Sequence, residues 1–222
     1  MQSEKSEMKE FKELYDEDYF QRGIATGKSL YENYRWIPEL TIPMTMAIID
    51  YLGIKRGDSV IDFGCALGFM VKAFRMLGRD AMGIDVSRYA ISNADPDVRG
   101  CCFRRVNGYA PCPELPFDFC IAKDVFEHIE PASLALDLHN ITVDCLFVIV
   151  PLAENGRYRV PAYEMDSTHI NRWSTDEWTV FFTENGWRLT GFEYRIPGIK
   201  DNWASFEKGN GFFTLRRAHA VN

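Results

Sequence analysis

The chain has 222 residues, enough for one domain of ordinary size and too few for two comfortable ones. Hydrophobic residues make up 46% and charged residues 26%, which excludes disorder, collagen and coiled coil and leaves a chain able to bury a core without disulfides or metals. Twenty-five Lys and Arg stand against 32 Asp and Glu, a formal charge of -7, so the basic face on which nucleic-acid backbone binding depends is missing.

Met1 to Glu10 is acidic and polar and lacks the apolar centre of a signal peptide. The longest apolar stretches, Ile42 to Ile49 and Leu146 to Pro151, fall far short of the ~20 residues that cross a bilayer. The six cysteines (Cys65, Cys101, Cys102, Cys112, Cys120 and Cys145) include no Cys-x2-Cys pair, and His numbers only four, so no structural metal is expected. They read as reduced thiols filling a core, with the cytoplasm as the expected compartment.

Residues 3–20 are charged, with apolar positions at Met8, Phe11, Leu14 and Tyr15 in helical spacing. Pro43 to Leu52 predicts a second helix, stopped by Gly53. Ser59 to Phe63 predicts a short buried strand, Phe69 to Leu77 a helix ended by Gly78, and Ala81 to Asp85 a second strand. Ser87 is a candidate N-cap for a helix running to Ala94. Further strands are expected at Cys101 to Val106, Phe117 to Ala122 and Asp144 to Val150, with a helix at Pro131 to Asn140 before the last.

Short apolar strands spaced by helices imply a parallel sheet covered on both faces, a doubly wound α/β sandwich. Ser174-Thr175-Asp176-Glu177 carries a capping box opening a helix that closes at Asn185-Gly186. Two aromatic-rich strands, near Trp187 to Arg195 and Gly211 to Arg217, are expected to pair antiparallel and finish the sheet. The expected whole is seven strands, mainly parallel, with an antiparallel last strand. Residues 1–54 would form a helical cap integrated with a core over residues 55–222.

The most informative segment is Val60 to Phe69, VIDFGCALGF: a strand carrying Asp62, a turn with small residues at Gly64, Ala66 and Gly68, then a helix. Small residues let backbone approach a ligand, and the helix start offers free amide donors. Asp85 closes the next strand, 23 residues after Asp62, where a carboxylate can accept both hydroxyls of a ribose. The dinucleotide pattern G-x-G-x-x-G is not met, because Phe69 falls where its third glycine would be, and no Walker Lys-Ser/Thr follows. An acid two residues before the first glycine would repel a pyrophosphate and suit a cationic head instead.

Here the chain resembles the S-adenosylmethionine-dependent methyltransferases of the Rossmann-like type. Their first motif is an acid followed by Gly-x-Gly-x-Gly, with Ala66 standing here for the middle glycine; the second is an acid closing strand two, matched by Gly83-Ile84-Asp85-Val86. The likeness continues through Leu115 to Ile129 (LPFDFCIAKDVFEHI), Val148 to Pro151 and the capped helix ending in Asn185-Gly186-Trp187.

The resemblance implies S-adenosylmethionine as cofactor and a methyl acceptor that is a small molecule or sugar. It places Gly64 by the methionine part, Asp62 near its amino group, Asp85 on the ribose and Val86 against adenine. Asn107 stands where the family often has an acid meeting the adenine amino group, and Lys123 follows strand four where the donor pocket opens.

Asp166 to Trp173 (DSTHINRW) resembles a stretch in members that methylate sugars and other hydroxylated compounds. His169 is the expected general base, against a reading in which Asp166, Thr168 and His169 only form a hydrogen-bonded turn. Asp166 with His169 as metal ligands lacks an evident third partner, so no metal is expected. His128 is a base, a pocket wall or an ordinary helix-start residue. Tyr31, Tyr34 and Trp36 either pack or cap the sulfonium. Two other functions remain open: a nicotinamide-dependent oxidoreductase, and a binding or scaffold subunit without catalysis.

Overall fold

Strands buried on both faces set the architecture. The computed structural model describes residues 14–106 and 117–218. Strand β1 (Ser59–Phe63) is followed by α4 (Phe69–Met76), β2 (Asp80–Asp85), α5 (Arg88–Ser92) and β3 (Cys102–Arg104). Then come β4 (Phe117–Lys123), α6 (Pro131–Asn140) and β5 (Val143–Pro151). Before them lie α1 (Glu17–Gln21), α2 (Gly23–Thr26) and α3 (Pro38–Leu52). After them lie β6 (Ala153–Glu154), β7 (Arg157–Tyr158), α7 (Thr175–Glu184), β8 (Trp187–Glu193) and β9 (Asn210–Arg217).

The main sheet has seven strands in the order β3-β2-β1-β4-β5-β9-β8, and β6 with β7 makes a separate hairpin that the sequence does not announce. β1 through β5 pair parallel; β9 runs antiparallel to both β5 and β8. Because successive side chains point to opposite faces, β1 and β5 feed two cores. Val60, Phe147 and Ile149 join Ile48, Val71 and Phe74 on one face. Ile61, Phe63, Leu146, Val148 and Val150 meet Leu134, Leu138, Trp178 and Phe182 on the other. Burial on both faces is why the strands read as nearly unbroken apolar runs.

β1 and α6 fall where the sequence predicts them to the residue. α3 starts five residues earlier than expected: Pro38 takes the first-turn place, where a missing N–H costs nothing, and Pro43 sits inside the helix. The helix expected to reach Ala94 ends at Ser92. The strand expected at Cys101 to Val106 is only three residues long, because Arg99–Cys101 form a 3-10 turn. The start of the N-terminal helical pattern lies outside the described residues; among those described it is broken at Tyr15 and Asp16, and α1 begins anew with Asp16 as its cap. No described helix is long and apolar enough to cross a membrane.

The capping box at α7 is complete: the Glu177 amide donates to Ser174 Oγ at 3.3 Å, and the Ser174 amide to Glu177 Oε2 at 2.8 Å. Ser174→Ala should cost about 1 kcal/mol, lowering Tm by about 2–4 °C in a chain of this size. A thermal melt checks this; an unchanged Tm would show that the buried Trp178 alone holds the helix start.

Candidate functional site

After Phe63 the chain turns through Gly64 (φ 84°), Ala66 (φ 48°) and Gly68 (φ 80°), all left-handed, before α4 begins at Phe69. The amides of Gly64 and Cys65 both donate to the Ile84 carbonyl, at 2.8 and 3.0 Å, lashing the turn to β2. Asp85 completes the binding of the loop: Oδ2 accepts from the Ala66 amide at 2.8 Å and Oδ1 from the Ser87 amide at 2.7 Å. The bond to Asp85 helps hold Ala66 in a conformation that costs a non-glycine residue roughly 1–2 kcal/mol. A Cβ on Gly64 would lie 2.3 Å from Val125 Cγ2, so only glycine lets the β1 and β4 loops touch.

Asp62, at the end of β1, is 2% exposed. Burial, with the Asp85 charge second, pushes its carboxyl up to about 8, against the opposing pull of Lys123. Burial likewise raises Asp85, opposed by its amide donors. Val86 lies 39% exposed beside this cradle. A buried acid in need of positive charge, a loop stripped of side chains and a carboxylate at the end of β2 fit a nucleoside ligand with a cationic amino-acid head. Asn107 lies outside the described residues. The Lys123 ammonium pairs with Asp124 and its charge also reaches Asp62.

Asp124 (φ 55°) opens the turn after β4 and is held by both Lys123 and Lys200. Burial raises its carboxyl, but the two ammonium groups win and hold it below the usual range. A 3-10 turn, Phe126–His128, follows. The segment 166–171 is zipped onto it: the amides of Ile170 and Asn171 donate to the Glu127 carbonyl at 2.9 and 3.0 Å. The Asn171 side-chain amide spans the carbonyls of Phe126 and Ile129 at 2.8 and 2.7 Å. This zip brings His128 and His169 to a ring-centroid separation of 4.6 Å across 41 residues of sequence.

The turn considered for Asp166, Thr168 and His169 is present, and it aims His128. The Thr168 amide and hydroxyl donate to Asp166 Oδ1 at 2.9 and 2.6 Å, and His128 Nδ1 lies 2.7 Å from the Thr168 hydroxyl. His169 Nδ1 lies 2.9 Å from the Tyr163 carbonyl. Burial, with His169 as a neighbour, pulls His128 down to about 4; burial also lowers His169, against the raising charge of Asp166. Between the rings lies Glu127, whose oxygens meet no hydrogen-bond donor of another described residue. Burial pushes this carboxyl well above its usual range, the Asp124 charge adding to the effect.

These groups line a cavity of about 210 Å³, walled also by Tyr19, Tyr31, Tyr163, Lys200 and Trp203. Of the three cap aromatics only Tyr31 faces it; Tyr34 and Trp36 pack against Phe69, at centroid distances of 5.3 and 5.9 Å. Glu127, Tyr19, Tyr163 and Lys200 were not singled out from sequence. Glu127 stands next to His128 in a segment already marked, so adjacency was its available signal; Lys200 sits in an irregular loop and has none.

The strand order and the two carboxylate-flanked βα turns define a class, the Rossmann-like S-adenosylmethionine-dependent methyltransferases. A family profile described as a methyltransferase domain matches residues 42–191, and the chain belongs to that family.

Two curated relatives are each named ubiquinone biosynthesis O-methyltransferase. That of Methylococcus capsulatus is 28% identical over 99 residues, 41% of this chain and 42% of the relative. That of Rhodopseudomonas palustris is 25% identical over 140 residues, 60% of this chain and 55% of the relative. The chain thus spans about half the length of the curated relatives it matches.

Among solved structures, an S-adenosylmethionine-dependent methyltransferase from Aquifex aeolicus superimposes with a TM-score of 0.57 at 18% identity, over 95% of this chain and 96% of that one. One from Archaeoglobus fulgidus gives 0.59 at 14% identity, over 78% and 92%. At these identities the likeness shows the fold.

The raised Asp62 carboxyl has a consequence for stability. A carboxyl whose pKa rises on folding keeps its proton in the native state where the unfolded chain has released it, so stability is lost as pH climbs from about 4 toward about 8. Asp62→Asn should therefore raise the Tm of the ligand-free chain at pH 8 by about 2–4 °C, the response to about 1 kcal/mol, with little change near pH 4. It should at the same time weaken S-adenosylhomocysteine binding. Equal melting of the two proteins at both pH values would refute the stability half.

Proposed function

We propose that this protein transfers the methyl group of S-adenosylmethionine to a hydroxyl oxygen of a small-molecule acceptor, a sugar or similar hydroxylated compound. The observation that carries the reading is the Glu127, His128 and His169 cluster in a small cavity, set on the turn whose Val125 touches Gly64 of the cofactor loop. A space of about 210 Å³ suits a small acceptor better than a polymer strand. The curated relatives, both named O-methyltransferases, support oxygen as the accepting atom.

In this reading Asp85 accepts the ribose hydroxyls, Asp62 faces the amino group, Gly64 lets the methionine part approach, and Val86 with Asn107 borders adenine. When bound, S-adenosylmethionine supplies an electrophilic sulfonium methyl, which leaves the chain to align the acceptor, exclude water and draw off a proton. The oxygen–carbon bond forms as the carbon–sulfur bond breaks, and the hydroxyl proton departs. Tyr19, Tyr31 and Tyr163 wall the acceptor, while Glu127, His128 and His169 assist loss of its proton.

Assisted proton removal contributes about 100- to 10,000-fold in rate, so His169→Ala should lower kcat by that order while leaving S-adenosylhomocysteine binding at the level of the unaltered protein. Release of S-adenosylhomocysteine across pooled hydroxylated acceptors, with calorimetry alongside, measures both. Full turnover by His169→Ala on the acceptor so found would remove His169 from the reaction. Turnover confined to a nucleic acid or protein would overturn the acceptor class.

A further inference from the structure

We propose that Glu127, His128 and His169 form a binding site for one divalent first-row transition-metal cation, with its open positions facing the cavity. The hydrogen-bond pattern fixes both imidazole tautomers. The Thr168 hydroxyl spends its proton on Asp166 Oδ1 at 2.6 Å, so at 2.7 Å it accepts from His128 Nδ1–H. The Tyr163 carbonyl, which can only accept, takes the proton of His169 Nδ1 at 2.9 Å. In the neutral rings both Nε2 atoms are therefore bare lone pairs.

Each Nε2 stands 4.0 Å from the same oxygen, Glu127 Oε1. That is too long for a hydrogen bond, and three lone-pair donors facing one another repel. The Glu127 side chain is 1% exposed, and no donor of another described residue reaches either oxygen. A buried carboxyl without a pair either keeps its proton or meets a metal, and the two imidazole nitrogens facing this one supply the donor set of the second case. The three groups offer ligand atoms all within 4.8 Å of one another. Ligand atoms about 2.0–2.2 Å from one ion, with positions left open, stand roughly 3.0–3.5 Å apart, so the three groups would close on an ion by drawing together by about 1 Å.

The outer contacts follow the same logic. The Asp166–Thr168–His128 chain and the Tyr163 carbonyl on His169 orient each ring through its far nitrogen, as outer-sphere partners of metal-bound histidines do. Asp124 is taken up by Lys123 and Lys200; Asp166 Oδ2 lies 3.9 Å from His169 Nε2 but accepts from Tyr19 at 3.4 Å, whereas Glu127 faces both rings with no donor of another described residue on it. Two imidazoles and one carboxylate suit zinc, manganese or ferrous iron, whereas calcium and magnesium prefer all-oxygen sets.

The catalytic consequence rests on the function proposed above. An acceptor hydroxyl bound at the open side would become more acidic, lose its proton to solvent and attack the methyl carbon, the metal keeping its oxidation state throughout.

The test uses the full chain freed of metal by a chelator. Mn2+ binding followed by electron paramagnetic resonance, and Zn2+ binding by calorimetry, should each give one ion per chain. Thr168→Val should weaken binding by ~10- to 100-fold, and Glu127→Gln or His169→Gln by more than that. Near-UV circular dichroism and S-adenosylhomocysteine titration show whether each variant is folded; a misfolded Glu127→Gln leaves His169→Gln and Thr168→Val to decide. A folded parent chain that binds neither ion, or variants that bind as tightly as the parent, would overturn the site. Ion binding without S-adenosylhomocysteine binding would sink the methyl-donor reading and leave the cation site standing; the reverse would do the opposite.

Discussion

The contact between Gly64 and Val125 is the constraint on which the site depends. The sheet order reverses between β1 and β4, so the loops leaving their carboxyl ends diverge to opposite faces and open a crevice. A crevice alone does not bring two sites within transfer distance. The missing Cβ of Gly64 lets the Val125 side chain seat against the glycine loop, while Asp85 grips the same loop through Ala66. The glycine loop and the histidine cavity therefore share a wall. A side chain at position 64 would need the β4 turn, with Asp124, Glu127 and His128 on it, to move away.

Five carboxylates lie near this wall, and the way each is compensated separates structure from chemistry. Asp85 is met by two amides, Asp124 by two ammonium groups, and Asp166 by Thr168 with a longer contact from Tyr19 at 3.4 Å. Burial raises Asp62, Asp85 and Glu127 alike, but Asp85 has amide donors of its own, whereas the lysines that oppose the rise at Asp62 and Glu127 are already engaged with Asp124. Leaving an acid undercompensated in the interior costs stability, since a buried charge is expensive without a partner. In the readings proposed above, these two would each receive a positive group from outside, one beside the glycine loop and one between the histidines.

The sequence carried the parts of this picture that depend on neighbours along the chain. SVIDF reads as a strand because five residues suffice to show burial on both faces, and the Ser174 to Glu177 box announces a helix start within four. The glycine turn was legible for the same reason. Two prolines, Pro38 and Pro43, both satisfy the rule for a first turn, and only packing of the helix decides between them. The short span of β3 depends on a 3-10 turn with no local signature. The histidine cluster was beyond reach: it exists because Asn171 and the Glu127 carbonyl join segments some forty residues apart, and because Lys200 arrives from an irregular loop. Of the two readings of Asp166 to His169 along the chain, the turn is the one seen in space, and it holds the Thr168 hydroxyl against His128.

The aromatic residues before α3 complete the same logic. Phe20 lies between Tyr31 and Tyr89, at centroid separations of 6.2 and 5.9 Å, and Tyr34 rests on Phe69 at the start of α4. Together with Tyr19, Leu67 and Ala90 they make a small apolar core of their own over the glycine loop. Its anchor to the sheet is polar: Ser87 caps α5 through the Ala90 amide and also donates its hydroxyl to the Tyr15 carbonyl at 2.6 Å. This layer brings two rings, Tyr19 and Tyr31, to the cavity, and the others pack around them. Keeping water from the Asp62 and Glu127 side of the wall lowers the local dielectric, which makes each remaining charge interaction stronger. The rings thus act on the chemistry through exclusion, by sharpening the fields of the carboxylates and histidines beneath them.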